Sequence, residues 1–263
     1  MNQGNLSKMF VEASETVQYR LSLNNELINM NEKIGHSFSM QWTGSIFCMK
    51  CGTKTKTSFS QGFCYRCFQS APECSDCIIR PELCEAHLGK GRDIQWEQDN
   101  HNQPHIVYLA ATDAVKVGIT RKVNVFTRWI DQGAKLTLIF AETPNRFEAG
   151  RVEVALKSFL TDKTNWRSML TDKTDYSIDL VEEKWRIAEE LPQDITELIT
   201  EDEDVNTFNY PVISYPTKVN SINLEKEIQF TKKLMGIRGQ YLLFDDNTVI
   251  NIRKYGGYQV IIE

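Results

Sequence analysis

Cysteine is missing from the first 47 residues and from everything after residue 84, so all seven cysteines fall in one short stretch. No apolar run approaches the ~20 residues needed to span a bilayer, so neither a transmembrane helix nor a membrane partner is expected. The opening MNQGNLSK lacks the apolar centre of a secretory leader, and Asn after Met1 with the ending QVIIE offers no lipidation signal. The expectation is a cytoplasmic protein whose cysteines stay reduced. Positive charge is not in excess either. Thirty Lys and Arg stand against 35 Asp and Glu, a net charge of −5. That excludes a polycation, and any contact with nucleic acid must come from a local patch.

What is present is a cysteine ladder. Residues 48–87 read C-x2-C-x12-C-x2-C followed by C-x2-C-x6-C-x2-H, that is Cys48, Cys51, Cys64, Cys67, Cys74, Cys77, Cys84 and His87. A two-residue gap lets both members of a pair reach one ion, so four pairs can hold two tetrahedral zinc ions. The odd cysteine count argues against a disulfide framework. Sequential and crossed partitions fit the spacing equally well. With four protein ligands on each ion, both zincs are expected to be structural rather than catalytic. Lys50, Lys54, Lys56, Tyr65, Arg66 and Phe68 form a candidate basic-aromatic patch on the knuckles, beside the plainer reading of a scaffold alone.

The rest of the chain reads as α+β. Residues 1–47 form an N-terminal β segment, with alternating strands over Val17–Leu23 and His36–Trp42. Residues 48–93 are the two-zinc knuckle or ribbon module. Residues 88–104 are polar and rich in turn formers, so they read as a linker, and His101 and His105 as loop histidines. A central module over 105–200 follows the order β-β-α-β-α, with strands at His105–Leu109, Val115–Ile119 and Lys135–Glu142. Amphipathic helices are expected over Pro144–Leu160 and Val181–Thr200, the latter broken at Pro192. The TDKT units at 161–166 and 171–176 are a short duplication. Residues 181–204 carry ten acids and two bases and read as a solvated linker. Residues 205–263 hold five short candidate strands, a small C-terminal β barrel or sheet that the N-terminal strands can join.

Tyr108, the Lys116-Val117-Gly118 turn, Arg128 and Glu153 in this order resemble the GIY-YIG nuclease module over residues 105–160. The resemblance implies a catalytic set of Tyr108, Arg128 and Glu153, with Mg2+ on Glu153 and Lys116 where the family has its second tyrosine. The whole chain, with its paired cysteine ladder, KVGITR…RWIDQGA and GIRGQYLLFDD, looks more like an uncharacterised bacterial family, domain of unknown function 2797.

Apart from the resemblance, residues 114–136 hold Lys116, Arg121, Lys122, Arg128 and Lys135 against Asp131 alone, a local net of +4. A cationic strand-to-helix junction attracts phosphate. The expected function is therefore zinc-supported binding of nucleic acid, RNA more readily than DNA, through a degenerate GIY-YIG-like module. The alternatives are an active metal-dependent endonuclease and an assembly factor that docks a protein partner.

Overall fold

The computed structural model describes the whole chain except residues 1, 25, 113, 161–164, 175 and 176. Three sheets organise it. A three-stranded sheet joins β2 (Phe10–Glu12), β3 (Gln18–Leu23) and β4 (Glu26–Asn29) in sequence order. The largest sheet takes strands from both ends of the chain. In order they are β1 (Asn2–Asn5), β15 (Tyr258–Ile262), β5 (Ser37–Phe47), β12 (Gln229–Arg238), β13 (Tyr241–Phe244), β14 (Thr248–Asn251) and β11 (Asn220–Ser221), with β6 (Lys54–Thr55) added to β5. β5 is an interior strand of this sheet, paired with β15 and β12, and its SFSMQWTGSIF alternates, burying Phe38, Met40 and Ile46 on one side.

The third sheet is four-stranded, ordered β10 (Asn206–Thr207), β9 (Leu136–Thr143), β7 (His105–Ala111) and β8 (Val115–Arg121), all antiparallel. Every residue of β7 is buried, since both of its faces are covered. Ile106, Tyr108 and Ala110 point into the core shared with the large sheet, and Val107 and Leu109 into a second core. That second core is closed by α4 (Arg146–Leu156) and α6 (Leu180–Ala188), which contribute Ala149, Val152, Leu156 and Ile187. An apolar run without alternation is what a strand covered on both faces requires.

Between β6 and β7 the chain makes α1 (Tyr65–Ser70), four short 3-10 turns spanning Pro72–Leu88, and α2 (Ile94–Asn100). α2 lies inside the stretch expected as a linker. Asp93 caps it by accepting from the Trp96 amide at 3.0 Å. α3 (Val125–Asp131) follows β8 and buries Trp129 and Ile130. The helix expected over Val181–Thr200 does divide at Pro192, into α6 and α7 (Gln193–Thr196), while α5 (Trp166–Leu170) is a further short helix. The TDKT duplication falls partly outside the described residues. Among the described residues no helix is long and apolar enough to cross a membrane.

Two cysteine groups and a cationic cleft

The first group is Cys48, Cys51, Cys64 and Cys67. Cys48 and Cys51 occupy the turn between β5 and β6, tightened by the Cys48 amide donating to Thr53 O at 2.9 Å. Cys64 is the N-cap of α1 and Cys67 lies in its first turn, so a helix start carries this pair. The second group is Cys77, Cys84, Glu97 and His101, all buried. It is built from two 3-10 turns and from one face of α2, where Glu97 and His101 sit four residues apart.

The distances match a tetrahedral zinc. Sulfurs about 2.3 Å and nitrogens about 2.0 Å from one ion lie about 3.8 Å (S···S) and about 3.6 Å (S···N) apart. Cys51 Sγ and Cys64 Sγ are 3.8 Å apart, and His101 Nδ1 is 3.7 Å from Cys77 Sγ and 3.6 Å from Cys84 Sγ. Glu97 Oε2 touches the same His101 nitrogen. The thiols also interact as a crowd short of positive charge. In the first group hydrogen bonding with Thr53 draws Cys51 down to about 6, while burial pushes Cys67 up to about 12. In the second, the Cys84 thiol stabilises a Cys77 thiolate, drawing it to about 4, and Cys84 is pushed upward by the same contact. A dication in each group lets every sulfur ionise. Both groups thus fit a zinc ion.

Two residues of the cysteine ladder stand elsewhere. Cys74 is buried outside both groups, its thiol hydrogen-bonded with Ser60 and raised by burial. His87 is exposed and stacks on Phe147 at 4.7 Å, because the 3-10 turn Ala86–Leu88 swings its ring onto α4. The second group takes His101 and Glu97 in their place. His101, read from sequence as a loop residue, is held at the end of α2, and a carboxylate ligand leaves no mark in a count of Cys and His.

The two groups flank a cleft of about 1050 Å3. Its walls come from all parts of the chain. Met49, Gln61 and Phe63 belong to the first metal loop, Trp96 and His101 to α2, Gly118 and Arg121 to β8, Arg128 to α3, Glu153 to α4 and Arg253 to the turn after β14. Lys8, Arg121, Arg128, Arg146, Lys157 and Arg253 line it against Glu73, Asp131 and Glu153. Six cations to three carboxylates make this a locally positive surface on a net acidic chain.

The sequence-predicted set is partly gathered here. Arg128 and Glu153 line the cleft, and Gly118 lies directly over Tyr108, where a Cβ would come within 2.6 Å of the hydroxyl. Tyr108 itself is fully buried and donates to Gln132 Oε1 at 2.9 Å, and burial raises its pKa. Its hydroxyl is engaged in the core rather than offered to solvent. Glu153 is 3.8 Å from Lys157 Nζ. The five cations expected to form one nucleic-acid surface diverge. Arg121 and Arg128 share the cleft, with Arg121 Nη1 donating to Asn100 Oδ1 at 2.5 Å. Lys116 is 4% exposed within β8. Lys122 pairs with Glu142 at 2.8 Å, outside the cleft. Lys135 lies over the Tyr210 and Tyr215 rings, with its pKa lowered by burial. Strand alternation separates Lys116 from Arg121, which lie an odd number of residues apart on β8, while Lys122, Arg128 and Lys135 lie outside that strand. Arg146 and Arg253 were not singled out from the sequence, because they lie far from the charge run that marked residues 114–136.

Among the expected patch residues on the knuckles, Lys50 pairs with Glu73 at 2.7 Å, while Tyr65 and Phe68 pack against Phe59. The acidic segment leaves the cleft alone: Asp202 O accepts from Lys184 and Glu203 from Trp185.

Three sheets, two four-ligand groups and the cleft between them define a mixed α+β protein with two candidate cysteine-based metal sites. A family model described as "Protein of unknown function (DUF2797)" matches residues 35–260, and the chain belongs to that family. No curated protein and no solved structure matches it.

Proposed function

We propose that the protein binds two zinc ions as structural elements and uses the cleft between them to bind the sugar-phosphate chain of nucleic acid, unpaired RNA in preference to duplex DNA. The observation that carries this reading is the convergence of Arg121, Arg128, Arg146 and Arg253 on one concave surface around Gly118. Backbone phosphates are the natural partners of such a rim, and Phe63 and Trp96, both half-buried in the same wall, offer faces for unpaired bases. The order β-β-α-β-α, with Tyr108 against Gly118 and with Arg128 and Glu153 in one cleft, is consistent with a GIY-YIG-like module. The buried Tyr108 and Lys116 favour binding over cleavage, since neither presents a base to a water molecule.

The test is anisotropy with labelled single- and double-stranded RNA and DNA across a salt series, with Mg2+ or with EDTA at a concentration that spares the zinc. Salt-sensitive binding of single-stranded RNA, weakened about tenfold in Arg128→Gln, is expected. Mg2+-dependent cleavage lost in Glu153→Ala would instead make the protein an endonuclease with the metal on Glu153. No affinity for any of the four probes would leave a protein-docking role as the better reading.

A further inference from the structure

We infer that Arg128 and Arg253, brought to the cleft by two different sheets, form a clamp for a single phosphate group. The new element is Arg253. It lies nearly at the far end of the chain from β8, on the 3-10 turn Ile252–Tyr255 that follows β14 of the eight-stranded sheet. That turn is fixed at both ends. The Ile252 amide donates to Gln240 O at 2.9 Å, and the Tyr255 hydroxyl, buried, donates to Ile222 O at 3.1 Å. Beyond it, Gly257 O accepts from the Phe47 amide at 2.8 Å, one residue before the first metal ligand. Arg128 arrives from the other side, on α3 after the four-stranded sheet.

Both guanidinium groups line the cleft. Neither forms an ion pair among the described residues, although most other cleft cations are tied. Lys8 holds Asp131, Lys157 lies beside Glu153, Arg121 donates to Asn100, and Arg146 donates to Cys77 O and Ile78 O. Asp131, a carboxylate close to Arg253, already accepts from Lys8 Nζ at 2.8 Å and from Gln240 Nε2 at 2.7 Å. Arg128 hydrogen-bonds with the Tyr108 hydroxyl, but its Nε is buried with no partner among the described residues. Within the shared cleft the two charges oppose each other: burial lowers the Arg253 pKa first, and the Arg128 charge lowers it further.

Two half-buried like charges, neither held in an ion pair, raise the energy of the folded chain. A salt bridge built for stability would carry its own acid. A phosphate oxygen pair supplies the missing charge, and two planar guanidinium forks can each hold it in bidentate fashion. The identity of the molecule carrying that phosphate rests on the nucleic-acid reading, whereas the clamp does not.

The experiment titrates the zinc-loaded protein into inorganic phosphate, followed by 31P line broadening. In parallel it measures hexanucleotide RNA with a 5′-phosphate or a 5′-hydroxyl by anisotropy. Broadening by the native protein, reduced about tenfold in affinity by Arg253→Gln and less by Arg253→Lys, is expected, with two zincs retained. Preference for the 5′-phosphorylated strand would assign the clamp to a terminal phosphate. Equal affinity for both strands, still sensitive to Arg253, would assign it to an internal phosphodiester. Absence of broadening by the native protein overturns the clamp, as does unchanged affinity in Arg253→Gln. Should that variant unfold, unchanged affinity in Arg253→Lys, which keeps the charge and loses the fork, overturns it equally. Phosphate held through Arg253 without affinity for any oligonucleotide keeps the clamp and overturns the nucleic-acid reading. RNA binding indifferent to Arg253 does the reverse.

Discussion

The two metal groups differ in donors, in the elements that carry them and in the wall they hold. The first has four sulfurs, two on the β5–β6 turn and two at the start of α1, and it is tied to the eight-stranded sheet. The second mixes two sulfurs with a carboxylate and an imidazole and is tied to the four-stranded sheet through α4. Arg146 at the start of α4 donates to Cys77 O and Ile78 O at 2.9 Å each, and its amide donates to His101 O at 2.9 Å. Gly150, one turn further, lets the helix lie directly on Pro81 and Glu82 between the two cysteines. Among the described residues the buried apolar cluster at this group is small: Cys77, Cys84 and Ala86, with Phe147 packed against them, beside buried Pro81. So small a cluster contributes little by burial alone, and an ion bound to the four ligands would supply most of the segment's stability. The first group can borrow from a large sheet; the second cannot.

That asymmetry can be broken most severely at the second group. Cys84→Ser is expected to reduce zinc from two per chain to one and to expose residues 71–104 to hydrogen exchange, since a structural zinc contributes about 10 kcal/mol. The eight-stranded sheet should keep its protection, and loss of protection there as well would mean the groups do not act separately. A sharper contrast separates two histidines. His101→Ala should also lose one zinc, whereas His87→Ala should keep both and cost about 1 kcal/mol through its lost stacking on Phe147. Metal analysis decides the pair, and zinc loss in His87→Ala alone would restore the shorter cysteine-ladder assignment. Next in size is Gly150→Ala, whose Cβ would overlap the backbone of Glu82. Forcing α4 away from the turn should cost about 1–3 kcal/mol in denaturant unfolding. The smallest effect belongs to Lys122→Ala. Its exposed pair with Glu142 is worth under about 1 kcal/mol, and RNA affinity should change far less than in Arg128→Gln.

Much of the fold was legible because it is written in local pattern. The strands at 105–111, 115–121 and 136–143 follow runs of apolar residues, and the split at Pro192 follows from a ring that cannot donate an amide. The first metal group was legible for the same reason, since its ligands come in two tight pairs. The second was not. Its histidine and carboxylate sit on α2, a helix of seven residues among Asn, Gln and Asp, whose one clear local sign is the cap at Asp93. The spacing from Glu97 to His101, one helical turn, became informative only once a helix was known to be there. Arg253 was illegible for a different reason. Nothing near it in sequence marks a site; closure of the sheet by strands from both chain ends carries it to Arg128.

The central claim, that nucleic acid lies in the cleft between the two metal groups, is tested most directly by photo-crosslinking. RNA carrying 4-thiouridine would be irradiated on the zinc-loaded protein and the adducts mapped by mass spectrometry. Adducts on the peptides containing Gln61 and Phe63, Trp96, and Gly118 to Arg128 are expected, and free phosphate should compete with them. Adducts confined to the three-stranded sheet or to the acidic segment at 201–204, with the cleft peptides unmodified, would contradict it.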